Sequence, residues 1–166
     1  MDVMESIVNR FSCRSYKADP ISSEMLMKLV DAGRLAPTSR GLQPWEFVVI
    51  TNVSTLRELA KQVDSGRFIS SAAACIAVFC RSDTDCAVED GSAATENILL
   101  AATEMGLGSC WIAGDKKPYQ PVVEQLLKTP PHLKLISLIS LGVPAEVRPA
   151  DRKRKSLEEV LHWQCF

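Results

Sequence analysis

DGSAATENILLAATEMGLGSCWIAG, residues 90–114, is the stretch on which the fold turns. Residues 87–106 read as one long helix, and GSCWIAG (108–114) reads as a buried strand. The glycines of MGLGSCW look like half of a dinucleotide fingerprint. They follow a helix and lead into a strand, however, and a pyrophosphate site needs the reverse order. A helix C-terminal glycine and a turn account for them. One flank of the helix is small (Ala93, Ala94, Ala101, Ala102), so another helix can come close, which suits a central or interfacial position.

Working outward, AAACIAVFCR (72–81) is a second buried strand, WEFVVIT (45–51) a β-branched one, and HLKLISLISLGVP (132–144) a fourth. Helices are expected at 2–10, at 22–35 with Ser22 or Ser23 as N-cap, at 54–63 capped by Ser54, and at 119–128. Pro37 closes the second of these. Helices lead and the strands are unevenly spaced, so strict βαβ alternation is not the pattern. The expectation is an α+β domain over residues 1–166, with a mixed, mainly antiparallel sheet of about four strands flanked by helices.

The 166 residues are 46% apolar and 23% charged, with a formal net charge of −1. Nothing in that balance draws the chain to nucleic acid or to a membrane surface. MDVMESIVNRF lacks the positive charge and apolar core of a signal peptide, and the longest low-charge run (69–80) is too short to span a bilayer. A cytoplasmic protein is expected. Six cysteines form no C-x-x-C pair and only two histidines are present, so no metal site and reduced, buried thiols are expected. Walker A, H-E-x-x-H and G-x-S-x-G motifs are absent.

Three polar or basic clusters and a strand end remain. RFSCR (10–14) sets Arg10, Ser12 and Arg14 on alternate positions, and an extended backbone points all three the same way, as an anion clamp. RKRK (152–155) is a second basic run, and the loop TSRGLQPW (38–45) offers hydroxyls, an amide and a glycine backbone. GSCWIAG brings backbone N–H groups and an aromatic to a strand end. Cations and hydrogen bonders without an acid–base dyad suit a cofactor that carries the chemistry itself.

The sequence resembles the nitroreductase family of FMN-dependent oxidoreductases over essentially its whole length. RFSCRSY resembles the family's Arg-x-Ser-x-Arg-x-aromatic opening, and APTSRGLQPWEFVV its Ala-Pro-Ser/Thr loop ending in Gln-Pro-Trp. The 90–114 block resembles its interface helix and following strand. LGVPAE, a basic run and SLEEVLHW resemble its C-terminal end.

The resemblance implies a homodimer with FMN at the subunit interface, NADH or NADPH as electron donor, and a C-terminal segment that crosses to the partner. It implies that Arg10, Phe11, Ser12 and Arg14 hold the FMN phosphate and ribityl chain, with Arg154 and Arg152 closing on the phosphate. Pro37, Thr38, Ser39, Gly41 and Gln43 then come from the other subunit. Trp111, Ile112, Ala113 and Gly114 lie along the isoalloxazine, with the Ala113 N–H near N5. Hydride passes from NAD(P)H to N5 and on to a nitroaromatic, quinone or similar small acceptor, in ping-pong fashion. Other flavin chemistry on this scaffold (dehalogenation, flavin cleavage, dehydrogenation) and flavin binding without turnover are the alternatives. The chain departs from the family at Gly41, where many relatives carry Asn, and at Ala113, where larger members carry Glu. The helical cover of larger members is replaced here by the short 82–86 connection, which leaves an open pocket or one lidded by 64–70.

Overall fold

The structure, a computed structural model, describes residues 1–147 and 153–166. The chain runs α1 (Val3–Asn9), α2 (Ser23–Arg34), a 3₁₀ turn (Ser39–Gly41), β1 (Trp45–Ile50), α3 (Val53–Gln62), a 3₁₀ segment (Asp64–Ser71), β2 (Ala74–Arg81), α4 (Ala87–Glu104), β3 (Gly108–Ala113), α5 (Gln120–Leu126) and β4 (Leu133–Gly142). Local chemistry sets the helix starts. Asp2 and Glu5 close a capping box on α1, and the Ser22 hydroxyl accepts the Met25 N–H at 3.2 Å. The α3 cap differs from expectation. Asn52 accepts the Thr55 N–H at 3.1 Å, and Ser54 instead donates its hydroxyl to that same side chain. An amide two residues upstream displaced the serine from the cap.

The four strands form one sheet in the order β1-β2-β4-β3, and every strand pair is antiparallel. The expected mixed character comes down to one isolated parallel bridge, Ser12 to Ser109, on the outer edge of β3. Side chains along β2 alternate between two packed layers. Cys75, Ala77 and Phe79 face α3 and α5 with Leu56, Leu59 and Val123, while Ala74, Ile76 and Val78 face α2 and α4 with Leu29, Ile98 and Leu99. A β-bulge opposite Val78 and Phe79 inserts Ile136 into β4. The Leu135 N–H beside it donates to Glu124 on α5 at 2.8 Å. The small flank of α4 splits: Ala94 and Ala102 are fully buried against the rest of the chain, while Ala93 and Ala101 stay partly open.

Two apolar surfaces stay exposed among the described residues. Val3, Met4, Ile7 and Val8 are exposed on α1, and Leu157, Trp163 and Phe166 are exposed in the C-terminal stretch. Among the described residues no helix is long and apolar enough to cross a membrane.

All six cysteines are free, and Cys13, Cys75, Cys80 and Cys110 are buried. Burial pushes the Cys13 thiol from the ordinary 9.0 up to about 11, and Cys75 and Cys80 up to about 12. The folded chain therefore keeps protons that the unfolded chain gives up. This contribution to stability is whole below pH 9.0 and is lost as pH climbs through about 12. We expect the thermal midpoint to fall above pH 9.0, and a disulfide-exchange thiol reagent at pH 8 to label Cys86 and Cys165 while the four buried thiols wait for unfolding. Prompt labelling of all six in the native state would contradict that burial.

Candidate active site

A cavity of about 710 Å³ opens at the outer edge of β3, between the α3 end of the molecule and the turn that leads into α5. Trp111, Ile112 and Ala113 form its floor, and Arg14 forms one flank. Asp64 and Ser65 wall one side, and Lys117, Pro118 and Tyr119 wall another. The expected lid segment 64–70 thus does border the pocket, whereas the 82–86 connection does not.

Of the N-terminal cluster, Arg14 lines the cavity and Arg10, Phe11 and Ser12 do not; the chain comes to this edge because α1 stops at Asn9. Arg10 turns extended (φ −57, ψ 130), and the chain then lies along β3, where the Cys13 N–H donates to the Ser109 carbonyl at 2.9 Å. Alternation follows: Phe11 and Cys13 turn inward against Tyr16 and Ala72, while Ser12 and Arg14 are exposed. The Arg14 backbone N–H donates to Glu146 at 2.6 Å, and its guanidinium donates to the Ser12 carbonyl at 3.3 Å and lies 5.8 Å from the Phe68 ring centre. Arg10 sits 3.7 Å from Glu96 of α4.

The edge of β3 presents its own backbone groups. The Ser109 carbonyl faces outward to Cys13, so two-residue alternation turns the N–H and C=O of Trp111 and Ala113 the same way. The Tyr119 hydroxyl donates to the Ala113 carbonyl, which fixes that orientation independently. The Ala113 N–H is left on the open edge, beside the half-exposed Trp111 ring. Gly114 plays a packing part: a Cβ there would lie 2.6 Å from Leu135 Cγ, and its N–H donates to the bulged Ile136 carbonyl at 2.9 Å. Burial raises the Cys110 pKa, with Arg14 pulling the other way, so its thiol is held protonated rather than poised as a nucleophile.

The second half of the expected site lies elsewhere. Pro37 to Gln43 precede β1, the opposite edge of the sheet, three strand spacings or about 14 Å away from β3. Asp90, buried in the first turn of α4, fastens this loop. Its carboxyl oxygens accept the Thr38 hydroxyl at 2.8 Å and the Ser39 N–H at 3.1 Å, and the Gln43 N–H donates to the Thr38 hydroxyl at 2.9 Å. Arg40, Gly41 and Gln43 all have positive φ. Gly41, at φ +68 with nothing within 4 Å of a Cβ, stands where glycine and asparagine are the least strained choices. Arg154 is exposed, and its guanidinium donates to its neighbour, the Lys153 carbonyl, at 3.1 Å. Arg152 lies outside the described residues. Sequence alone does not mark Asp90 or Glu146; KKPY, shortly after a strand end, is the available signal for Lys117 and Tyr119.

The nitroreductase family model matches residues 7–68 and 65–143. This chain belongs to the nitroreductase family. A relative in Archaeoglobus fulgidus, assigned as an NADH dehydrogenase/NAD(P)H nitroreductase, is 33% identical over 151 residues, 87% of each chain. The solved FMN-dependent nitroreductase of Clostridium difficile superimposes with a TM-score of 0.92 at 30% identity, covering 98% of this chain and 99% of that one. The NADPH:FMN oxidoreductase of Vibrio harveyi, solved with NAD+, superimposes with a TM-score of 0.88 at 26% identity over 99% of this chain and 77% of its own. This member of the nitroreductase family joins β2 to α4 through only residues 82–86, in keeping with a short form.

Proposed function

We propose that the chain is an FMN-dependent oxidoreductase that takes electrons from NADH or NADPH and passes them to a small acceptor such as a nitroaromatic or quinone. It does so as a homodimeric, cytoplasmic, single-domain protein with the site shared between subunits. One observation carries this reading: Arg14, the Trp111 ring and the outward Ala113 N–H converge on a single cavity whose described lining includes no histidine. That donor set fits the group. Two cations in the cavity wall and Arg10 nearby match a phosphate, and an aromatic with a backbone donor matches a flat heterocycle.

Bound FMN supplies the redox chemistry, for which none of these side chains is equipped. The protein's share is placement. Arg10, Ser12 and Arg14 anchor the phosphate end, and Trp111 covers the ring. The Ala113 N–H would be the backbone donor offered to the ring, where a fixed donor would stabilise negative charge. Asp64 and Ser65 narrow the mouth on one side. The Pro37–Gln43 loop leads into the opposite sheet edge and is absent from this cavity's lining, so it is assigned to the partner's site. The bare apolar faces of α1 and of the C-terminal stretch are the surfaces that pairing covers, with the C-terminal segment exchanged.

The test is the absorbance spectrum of the purified protein before and after anaerobic NADH or NADPH. Flavin bands that bleach support the reading. Bands that persist with every donor point to a flavin binder, and no bands even after incubation with FMN sink it. Arg14→Ala is expected to weaken FMN binding by about tenfold to a hundredfold, the worth of hydrogen bonds to a charged group. An unchanged affinity in a fluorescence-quenching titration would remove Arg14 from the phosphate site.

A further inference from the structure

An open strand edge offers a ligand two opposed things at once. The N–H of each outward residue attracts electron density, and the C=O of the same residue repels it. At Ala113 both groups lie on the outward edge at the cavity, yet among the described residues only the carbonyl has a partner, the donating Tyr119 hydroxyl. Tyr119 itself lines the cavity, and its ring packs on the core cluster of Ile112, Val123 and Leu135. The hydroxyl is thus held in place by the fold before any ligand arrives.

The turn that delivers it is tied twice more. The Lys116 N–H donates to the Gln120 side chain at 2.8 Å, and the Lys117 N–H donates to the Gly114 carbonyl at 3.3 Å. Neither of these two hydrogen bonds ends on Ala113. The turn would therefore persist without the tyrosine hydroxyl, and its capping of the carbonyl calls for a separate explanation.

We infer that Tyr119 is a positioning residue that caps the Ala113 carbonyl and so makes this edge of the cavity donor-only, tuning it toward the electron-rich form of a ligand bound there. The inference rests on the proposed FMN site. With the hydroxyl removed, the uncapped carbonyl dipole faces the ligand beside the Ala113 N–H. The reduced, negatively charged cofactor loses more affinity than the oxidised one.

The experiment compares wild type, Tyr119→Phe and Gln120→Leu in the FMN-loaded protein, by spectroelectrochemical midpoint and by FMN affinity in both redox states. In Tyr119→Phe the ratio of reduced to oxidised affinity is expected to fall by about tenfold, a midpoint lowered by about 30 mV for a two-electron couple. Oxidised FMN should bind nearly as before, since the ring still packs on its core neighbours. Gln120→Leu should lower the thermal midpoint and leave the potential in place. An unchanged potential in Tyr119→Phe, or an equal shift in Gln120→Leu, overturns the assignment. A wild type that takes up no FMN overturns the site reading, and this assignment falls with it. In the ligand-free protein, the Gly114 amide, which shares the peptide of the capped carbonyl, should change its ¹⁵N shift in Tyr119→Phe. No change there shows that the cap is not made in solution.

Discussion

Asp90→Ala will release the loop at residues 37–43 and cost about 3 kcal/mol of stability. The carboxyl group is buried, and its removal strands the Thr38 hydroxyl and the Ser39 N–H together. For a chain of this size the thermal midpoint should drop by about 10 °C. Asp90→Asn should do less harm, because one carbonyl oxygen remains to accept. The functional expectation is larger than the thermal one. If the loop completes the partner's flavin site, FMN affinity should fall in Asp90→Ala even at temperatures where the fold is intact. An FMN affinity equal to wild type in the folded variant would detach this loop from the cofactor.

The second large effect is expected at Gly114. A single added methyl, Gly114→Ala, places Cβ 2.6 Å from Leu135 Cγ and 3.0 Å from the Ile136 backbone carbon. Backbone cannot swing aside as a side-chain tip can, so the end of β3 must leave β4 at the bulge. The cost should be about 3 kcal/mol, and the cavity floor should move with it. Gly41→Ala is the useful contrast. Nothing lies within 4 Å there, and only the left-handed backbone is strained, for about 1 kcal/mol. A Gly114→Ala variant as stable as Gly41→Ala would show that β3 and β4 are looser at this end than their packing indicates.

Much of this molecule is legible in its residues because the signals are local. Nearly continuous apolar runs mark β2 and β4, Gly106 closes α4, and Ser22 opens α2. The shared exposure of Ser12 and Arg14 is legible because an extended chain needs no tertiary knowledge to orient alternate residues. The role of Asp90 is not. It sits about fifty positions from the loop it fastens, and an acid in the first turn of a helix already has a sufficient reason to be there in the helix dipole. Tyr119 was hidden for a related reason. Its hydroxyl meets Ala113 only because Lys116 takes a left-handed conformation in the turn between them, which no spacing rule foretells. The bulge at Ile136 is equally silent in a run as uniform as LKLISLISLG, yet it decides where Gly114 is tied.

The two halves of the expected site stand at opposite edges of one sheet, and this has a consequence for mass action. On the proposed pairing, a lone chain owns each half but completes neither, so cofactor uptake and subunit association become a single linked equilibrium. Dilution should then shed FMN, and the apparent dissociation constant should climb as protein concentration falls. Added FMN, in turn, should draw free subunits together. Such a protein would sense its own abundance through how much of its cofactor it can keep.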